Sequence, residues 1–394
     1  MKSHILLCTA CLLPILILAN SPGDIAEGNN KFAFKLFGEM KTEPGKNLVC
    51  SPFSISAALA MTYAGARNET AVQMSRTMNF ARDEAFHPGF KQLLDRLDAV
   101  ADGKIKLNIA NGLWAQKDYK FLDPYFRLVK SDYGSELKNV DFTNDAEREK
   151  TRKEINGWVE RETNDRIKDL IGQGDLKSQT RLVLVNAIYF YGDWAEPFKK
   201  ESTASKDFFL ETGTPVNVPF MNNRGRYRYY EDAKIKAIEI PYRDNSASLV
   251  IFLPDVPDGL AAFDYEYYAW IIASLQPGEV RLSLPKFQST SKIYLGSTLS
   301  QMGMPLAFSA AADFSGMTGN HDLCISEVIH QAFIDVDEKG TEAAAATAVI
   351  MKMTSAAPSP DLKVFNADHP FVYCIKDNVT GSILFMGRVM KPGK

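Results

Sequence analysis

The spacing of hydrophobic and polar positions changes along the chain. Before residue 182, apolar residues recur every three or four positions, which predicts amphipathic helices over 25–40, 52–66 and 146–171. The run 182–191 is almost continuously apolar, as in a strand buried on both faces. Short apolar runs bounded by Pro, Gly or Asp predict further strands over 237–241, 248–253, 280–284, 329–336 and 371–375. Helices early and strands late, without strict alternation, predict an α+β fold.

The first 21 residues resemble a secretory signal peptide. Lys2 precedes the apolar run 5–18, and the small residues Ala19 and Ser21 suit a cleavage site. The run has about 14 residues, whereas a membrane-spanning helix needs roughly 20, so a membrane anchor is not favoured. We therefore expect a secreted, extracellular protein with no membrane partner. Residues 22–394 are predicted to form a single domain, because no linker, repeat or low-complexity tract divides them.

Composition and charge narrow the class of protein. The chain has 45 Lys and Arg residues against 48 Asp and Glu, and no basic run exceeds a pair, so nucleic acid is not an expected partner. No H-E-x-x-H, G-x-S-x-G or P-loop motif is present, and the histidines after residue 21 have no zinc-ligand spacing. We therefore predict a protein that is not an enzyme and has no catalytic residues, metal or cofactor.

Two further residue types mark candidate features of a secreted chain. Asn68 and Asn378 begin the sequons N-E-T and N-V-T and are candidate glycosylation sites. Cys50, Cys324 and Cys374 are the cysteines after residue 21, and all three lie in apolar runs, so we expect them to be buried.

One segment, residues 337–360, fits neither pattern. With its flanks it makes a connection of over 30 residues between two predicted strands, a length that is usually functional when unstructured. Its alanines 343–346 favour a short helix, whereas the Ser-, Ala- and Pro-rich end 353–360 favours an exposed loop. The small side chains also suit a strand that slides between two others. Gly340 would be its hinge, because glycine adopts backbone angles that other residues avoid.

Several short motifs stand in a fixed order along the chain. They are N-L-V-C-S-P-F-S at 47–54, N-A-I-Y-F-Y-G-D-W at 186–194, L-P-K-F at 284–287, D-F-S-G-M at 313–317, D-E-K-G-T-E at 337–342, D-H-P-F at 368–371 and F-M-G-R at 385–388. With these motifs the chain resembles the serpin family of serine protease inhibitors over essentially all of 22–394. The resemblance implies about nine helices around three β-sheets, with an exposed reactive centre loop at about 338–360. In such proteins a target protease cleaves the loop and is trapped as an acyl-enzyme while the loop inserts into the main sheet.

The resemblance also assigns roles to individual residues. The shutter, a polar cluster under the centre of the opening sheet, consists of Ser51, Ser54, Asn186 and His330. The breach, where the loop first enters, consists of Trp194, Lys286 and Glu338. We expect an ion pair between Lys286 and Glu338 that, as a surface pair, contributes under about 1 kcal/mol. The hinge consists of Gly340, Thr341, Glu342, Ala343, Ala344, Ala345 and Ala346.

The usual spacing from Glu338 places the reactive bond at Thr354–Ser355, with cleavage after Met353 or Lys352 as the alternatives. The small side chains of the hinge favour an inhibitor, because charged or bulky ones are hard to bury. We therefore predict a monomer that inhibits a serine endopeptidase. A non-inhibitory serpin that binds or carries a ligand, and an inhibitor of cysteine proteases, stay open as alternatives. A glycosaminoglycan is not an expected partner, because basic residues are interspersed with acidic ones.

Overall fold

The computed structural model describes residues 21–40, 45–100, 105–255, 263–341 and 362–393, and within these ranges it contains nine α-helices and fifteen strands. The helices are α1 (Pro22–Glu39), α2 (Pro52–Gly65), α3 (Asn68–Met78), α4 (Phe86–Val100), α5 (Asp123–Tyr133), α6 (Asp145–Glu162), α7 (Tyr265–Ser274), α8 (Gly296–Gln301) and α9 (Ser315–Thr318). None of the described helices is long and apolar enough to cross a membrane. The α+β class is confirmed.

A six-stranded sheet carries the candidate site. In order across the sheet, its strands are β10 (Phe287–Tyr294), β11 (Glu327–Val336), β12 (Gly340–Thr341), β4 (Leu182–Asp193), β2 (Ile105–Gln116) and β3 (Glu136–Val140). Both faces of β4 are buried over residues 182–190, as its apolar run predicts. Leu184 on one face belongs to the core that contains α2, and Val185 on the other belongs to the core that contains α6 residues.

The other nine strands form a second hydrogen-bonded array. Their order is β1 (Leu48–Cys50), β15 (Ile383–Val389), β14 (Phe371–Asp377), β8 (Ala247–Pro254), β7 (Ile235–Pro241), β6 (Pro215–Glu231), β9 (Gln276–Pro285) and β13 (Lys363–Asn366), with β5 (Ala204–Phe209) paired to β6. Strand β6 has 17 residues and pairs with β5 at its beginning and with β7 at its end. It therefore joins two smaller sheets, which with the six-stranded sheet make the three that the resemblance implies.

Helix α2 lies between the two arrays and supports the six-stranded sheet. Residues 52–62 are all buried, as expected for a helix without a polar face. Ser51 caps its first turn by accepting a hydrogen bond from the Ser54 N–H, and Pro52 occupies the first helical position. The helix start is thus fixed beneath strand β4.

Helix α6 ends at Glu162, before residue 171 where periodicity predicts its end. Asn164 and Asp165 have φ angles of 51° and 60°, which a right-handed helix does not contain. The Thr163 hydroxyl accepts a hydrogen bond from the Ile167 N–H in place of a helical carbonyl. Ile167 is nevertheless buried, so the apolar spacing reported burial correctly but not helix length.

Candidate functional site

Strands β4 and β11 of the six-stranded sheet are neighbours along most of their length, and a short extra strand separates them at one end. Strands β4 and β11 pair directly and in parallel over residues 183–189 and 327–333. Beyond that stretch β12 lies between them, and Thr341 pairs with Val336 of β11 on one side and Gly192 of β4 on the other. The chain therefore enters the sheet as a new central strand immediately before residue 342.

Gly340, the first residue of β12, is pressed against the main chain of β4. A Cβ atom here would lie 2.0 Å from the carbonyl oxygen of Gly192 and 2.8 Å from Cα of Asp193. Its φ is not among the positive values of the chain's glycines. Close approach of two strands therefore requires a glycine at this position in the resting state. The expected role of Gly340 as a hinge concerns its backbone angles during insertion and stays a prediction.

The Thr341 side chain is fully buried against a tyrosine that the sequence analysis missed. Tyr242 Oη lies 2.6 Å from Thr341 Oγ1, so one hydroxyl donates to the other. The Tyr242 ring stacks on Trp194, with 4.7 Å between ring centroids and 10° between ring planes. Burial raises the pKa of the phenol and keeps it neutral. Tyr242 follows β7 in a sequence without any distinguishing pattern, so only the tertiary structure reveals it.

Glu338 is a buried hydrogen-bond acceptor. Its side chain is 6% exposed, and its carboxylate accepts from Lys286 Nζ at 2.7 Å and from Thr203 Oγ1 at 2.9 Å. Burial opposes ionisation, but the bonds from Lys286 and Thr203 outweigh it and hold the carboxyl pKa below its ordinary value. The ion pair is present as predicted, but the expectation of a surface pair was wrong. Removing one partner would leave a charge in a largely buried place.

The turn that carries Glu338 is bound along its main chain. The indole N–H of Trp194 donates to the Asp337 carbonyl at 2.9 Å, and the backbone N–H of Trp194 donates to the Lys339 carbonyl at 2.9 Å. The Phe198 N–H donates to the Glu338 carbonyl at 2.8 Å. Three consecutive carbonyls are thus satisfied by the segment after β4, which fixes the turn between β11 and β12.

The four shutter residues form one fully buried cluster where β4 and β11 pair directly. His330 Nε2 accepts from the Ser51 N–H at 3.1 Å, so Nδ1 carries the proton and donates to Asn186 Oδ1. Asn186 Nδ2 donates to the Ser54 carbonyl at 3.0 Å and also contacts the Ser54 hydroxyl. Burial lowers the pKa of His330 to about 3, so the ring is neutral, as this pattern requires.

A fifth residue of the shutter cluster, Asn111, was not predicted. It lies on β2 directly opposite Asn186 and is 7% exposed. Its Oδ1 accepts from Asn186 Nδ2. The cluster therefore links β2, β4, β11 and the start of α2. The available signal was a polar residue inside the apolar run 109–115.

The remaining predicted loop residues cannot be placed. The hinge residues Glu342, Ala343, Ala344, Ala345 and Ala346 and the reactive-bond residues Lys352, Met353, Thr354 and Ser355 lie outside the described residues. In the described part of the chain, no group of three or more His, Cys, Asp or Glu side chains could hold a metal ion. Among the cysteines, Cys50 and Cys374 are buried as expected, but Cys324 is only partly buried.

The arrangement of these residues is that of a protein whose main sheet accepts an added strand. The two residues of β12, Gly340 and Thr341, already lie between β4 and β11 at one end of that sheet. The chain matches the family model "Serpin (serine protease inhibitor)" over residues 27–392. It is 38% identical to the human leukocyte elastase inhibitor over 382 residues, which cover 93% of this chain and 99% of that protein. The chain belongs to the serpin family.

Solved structures show the same fold. Human thyroxine-binding globulin complexed with thyroxine has a TM-score of 0.85 and 32% identity, covering 95% of this chain and all of that one. Uncleaved ovalbumin has a TM-score of 0.83 and 29% identity, with 93% of this chain covered. The serpin fold implied by the motifs is therefore confirmed.

Proposed function

We propose that this serpin inhibits a serine endopeptidase by covalent trapping. The protease cleaves the loop after the hinge and forms an acyl-enzyme, which is inactivated as the loop enters the six-stranded sheet. The observation that carries the proposal is the position of Thr341, which already lies as a strand residue between β4 and β11. The similarity to leukocyte elastase inhibitor supports a serine endopeptidase as the target.

Further insertion requires the direct pairing of β4 with β11 to be replaced by pairing with the loop. A strand between them gains main-chain hydrogen bonds along both edges. Its core-facing side chains must be small or uncharged, because burying a charge without a partner is costly. Thr341 meets this condition with a partnered hydroxyl, and the alanines 343–346 continue with side chains that are easily buried.

The decisive experiment is incubation with a panel of serine endopeptidases, followed by denaturing electrophoresis and mass spectrometry of the released C-terminal peptide. A trapped protease gives a band that survives denaturation, and a peptide of residues 355–394 locates the bond at Thr354–Ser355. Peptides that begin at Thr354 or Met353 locate it one or two residues earlier. Cleavage by panel members without any covalent band would contradict the proposal.

The variant Thr341→Arg separates insertion from cleavage. Arginine at this position has no buried partner between β4 and β11, so the loop should be cleaved while the protease escapes. We expect the number of inhibitor molecules consumed per trapped protease to rise about tenfold or more. Thr290→Arg, at an exposed position of β10 in the same sheet, is the matched control. An unchanged yield of covalent complex with Thr341→Arg would rule out the insertion mechanism.

A second candidate is a non-inhibitory serpin that binds or carries a ligand. The similarity to thyroxine-binding globulin, a structure that holds thyroxine, supports this candidate. Such a protein would be cleaved by the panel without trapping any member. Cysteine proteases belong in the same panel, since a covalent complex with these alone would identify a cross-class inhibitor.

We also propose that the chain is secreted after loss of its N-terminal segment, of which residues 1–20 lie outside the described ranges. Ser21 caps α1: its hydroxyl accepts from the Asp24 N–H at 3.3 Å, and its own N–H donates to the Asp24 carboxylate at 3.0 Å. Cleavage after Ser21, as the predicted boundary at residue 21 has it, would remove this capping box, whereas cleavage after Ala19 keeps it. We therefore expect the secreted protein to begin at Asn20. N-terminal mass spectrometry of protein from the culture medium tests this, and a cell-retained chain with Met1 intact would contradict it.

The two sequons differ in what a glycan would displace. Asn68 is exposed, and its Nδ2 donates to Asp313 Oδ2 at 2.6 Å. Asn378 is more deeply engaged, since its Nδ2 donates to Ser248 Oγ at 2.8 Å and its Oδ1 accepts from Lys376 Nζ at 2.7 Å. We propose that the secreted chain carries a glycan on Asn68 and none on Asn378. Glycopeptide mapping of the wild type and of Asn68→Gln tests this, and a glycan on Asn378 would contradict it.

A further inference from the structure

The strands β6, β9 and β13 form a sheet with one buried and one exposed face. Neighbouring residues of a strand point to opposite faces, and the register of these three strands is known. Leu282 and Phe365 lie opposite each other on one face, and both are fully buried. Arg224, Arg226 and Arg281 lie on the other face, and all three are exposed. We call this exposed side, with its three arginines, the basic face.

The arginines of the basic face are only partly neutralised. Arg224 lies directly opposite Arg281, and like charges in this position are destabilising. Glu279 pairs with Arg224 at 2.7 Å. Among the described residues, neither Arg226 nor Arg281 has a carboxylate partner. The stability of the fold does not explain the repulsive pair, whereas binding of an acidic partner does.

The basic face lies beside the two points where the reactive loop is attached. The loop begins after Thr341, next to the breach, and ends before Lys363, which pairs with Val280 of β9. Lys286 of the breach directly follows β9, so the two points are about 20 Å apart along that strand. Arg281 lies between them.

A protease that attacks the loop can reach the basic face. The predicted reactive bond at Thr354–Ser355 is eight residues before Lys363, so it lies at most about 29 Å from the start of β13. A protease domain of about 200 residues has a radius of gyration of about 16 Å, so its surface extends well beyond its active site. The surface around that active site can therefore lie against the three arginines.

The other residues of the basic face favour a protein as the partner. Val364 lies opposite Arg281 on β13 and is 51% exposed. Arginine is enriched in protein interfaces, and the centres of such interfaces are apolar. Glu279 repels a sulfated polysaccharide but can pair with a basic residue of a protein. The face therefore suits a protein with an acidic surface.

We propose that the basic face, together with Val364, is a second docking site for the target protease and binds an acidic patch beside that protease's active site. This inference rests on the proposed function, because it concerns the same protease. The attraction acts during encounter, before the acyl-enzyme forms, so it raises the rate of association. It leaves the later partition between trapping and release unchanged.

The test compares Arg281→Glu with the wild type against the endopeptidase that the panel identifies. The rate constants for loop cleavage and for formation of the covalent complex should both fall about tenfold at low salt. Added NaCl should reduce the difference, because salt screens the charges. Arg127→Glu, at an exposed position of α5, is the matched control and should react as the wild type does. Equal rate constants for the two variants would overturn the proposal.

Failure of the proposed function gives a different result. Cleavage without a covalent band contradicts trapping, yet the rate of that cleavage still tests the basic face. With trapping intact, the number of inhibitor molecules consumed per trapped protease should be the same for Arg281→Glu and the wild type. A rise in that number without slower cleavage would overturn the docking role.

Two further measurements separate docking from other roles of Arg281. The thermal midpoint of Arg281→Glu should stay the same or rise, because the change removes the repulsion by Arg224. If that variant does not fold, Arg226→Glu serves in its place with the same expected loss of rate. Retention of the wild type on heparin that is lost in Arg281→Glu, with an unchanged rate of association, would assign the face to a sulfated polysaccharide and overturn the proposal.

Discussion

The breach and the shutter hold the same two strands, β4 and β11, in different ways. At the breach the strands are apart, and β12 lies between them. The contacts there involve the entering chain itself: Glu338 binds Lys286, and Thr341 meets Tyr242. At the shutter the strands pair directly, and the His330–Asn186 hydrogen bond connects one to the other.

This difference shows which contacts favour insertion of the loop between β4 and β11 and which contacts oppose it. Neighbouring strands lie about 4.8 Å apart, so a new strand between β4 and β11 doubles that separation. The hydrogen bond between His330 and Asn186 cannot span the doubled distance and must break. The contacts of Glu338 and Thr341 involve the entering chain, so they are already compatible with an inserted strand. The breach therefore stabilises the start of insertion, and the shutter resists its continuation.

The largest expected effect comes from breaking the shutter with Asn186→Leu. The change leaves buried groups of His330, Ser54 and Asn111 without a partner, at about 1–3 kcal/mol each. The sum is about 4 kcal/mol, which lowers the thermal midpoint on the order of 10 °C. Circular dichroism during heating measures it. Asn217→Leu, at an exposed position of β6, is the control and should change the midpoint little. Equal midpoints for the two variants would contradict the role given to the cluster.

Glu338→Lys tests the breach by replacing an attractive buried contact with a repulsive one. Lysine would face Lys286 across a site where the native carboxylate is 6% exposed, which we expect to cost about 2 kcal/mol. The released turn should let β4 and β11 separate, so the monomer fraction should fall on mild heating. Size-exclusion chromatography measures that fraction. Glu279→Lys, which breaks a more exposed pair with Arg224, is the control. A monomer fraction that matches this control would contradict the expectation that the Glu338–Lys286 pair holds the turn in place.

Much of the fold follows from the hydrophobic pattern. The strand predicted at 182–191 is β4, because a strand buried on both faces needs an unbroken apolar run, and the strand predicted at 329–336 is β11. Helix α6 was predicted too long, because the apolar spacing continues through a turn that has positive φ angles. Apolar periodicity reports which positions are buried, and it does not report where the main chain changes direction.

The residues of the site could be predicted only where they belong to one of the sequence motifs of the family. Lys286 and Glu338 were paired in advance by resemblance, yet their burial depends on packing that no local pattern encodes. Tyr242 and Asn111 were missed, because their neighbours are 99 and 75 residues away in sequence. Long-range contacts of this kind depend on the register between strands, which the sequence does not state directly.

Tyr242→Phe removes one hydroxyl from the breach and should have a smaller effect than either variant above. Thr341 Oγ1 loses its buried partner, at about 1 kcal/mol. A double-mutant cycle with Thr341→Val should give a coupling of about 1 kcal/mol in thermal unfolding. Tyr125→Phe loses a buried hydrogen bond to the Met61 carbonyl, 3.1 Å long, and is the control. Its cycle with Thr341→Val should show no coupling, and equal coupling in the two cycles would contradict a direct contact between Tyr242 and the hinge.

The histidines of two regions should respond to pH in opposite directions. Burial lowers the pKa of His330 to about 3, so the native state binds fewer protons than the unfolded state between about pH 6.5 and 3. Stability due to neutral His330 is therefore lost as the pH falls through that window. Burial also lowers the pKa of His369, but hydrogen bonds to Asp368 at 2.8 Å and to the Pro254 carbonyl at 2.7 Å outweigh it and raise the pKa.

The sign for His369 is thus reversed: its contribution to stability is complete below the ordinary histidine pKa and is lost as the pH rises through the raised value. NMR titration of the imidazole resonances measures both groups in the same sample, with His369→Gln to assign one set. The His330 resonances should stay constant from pH 8 to about pH 4, while those of His369 titrate above the ordinary value. A His330 ring that titrates near its ordinary pKa would mean that the shutter opens to water in the resting protein. That result would contradict the view that β4 and β11 are tightly paired at the shutter and apart only at the breach.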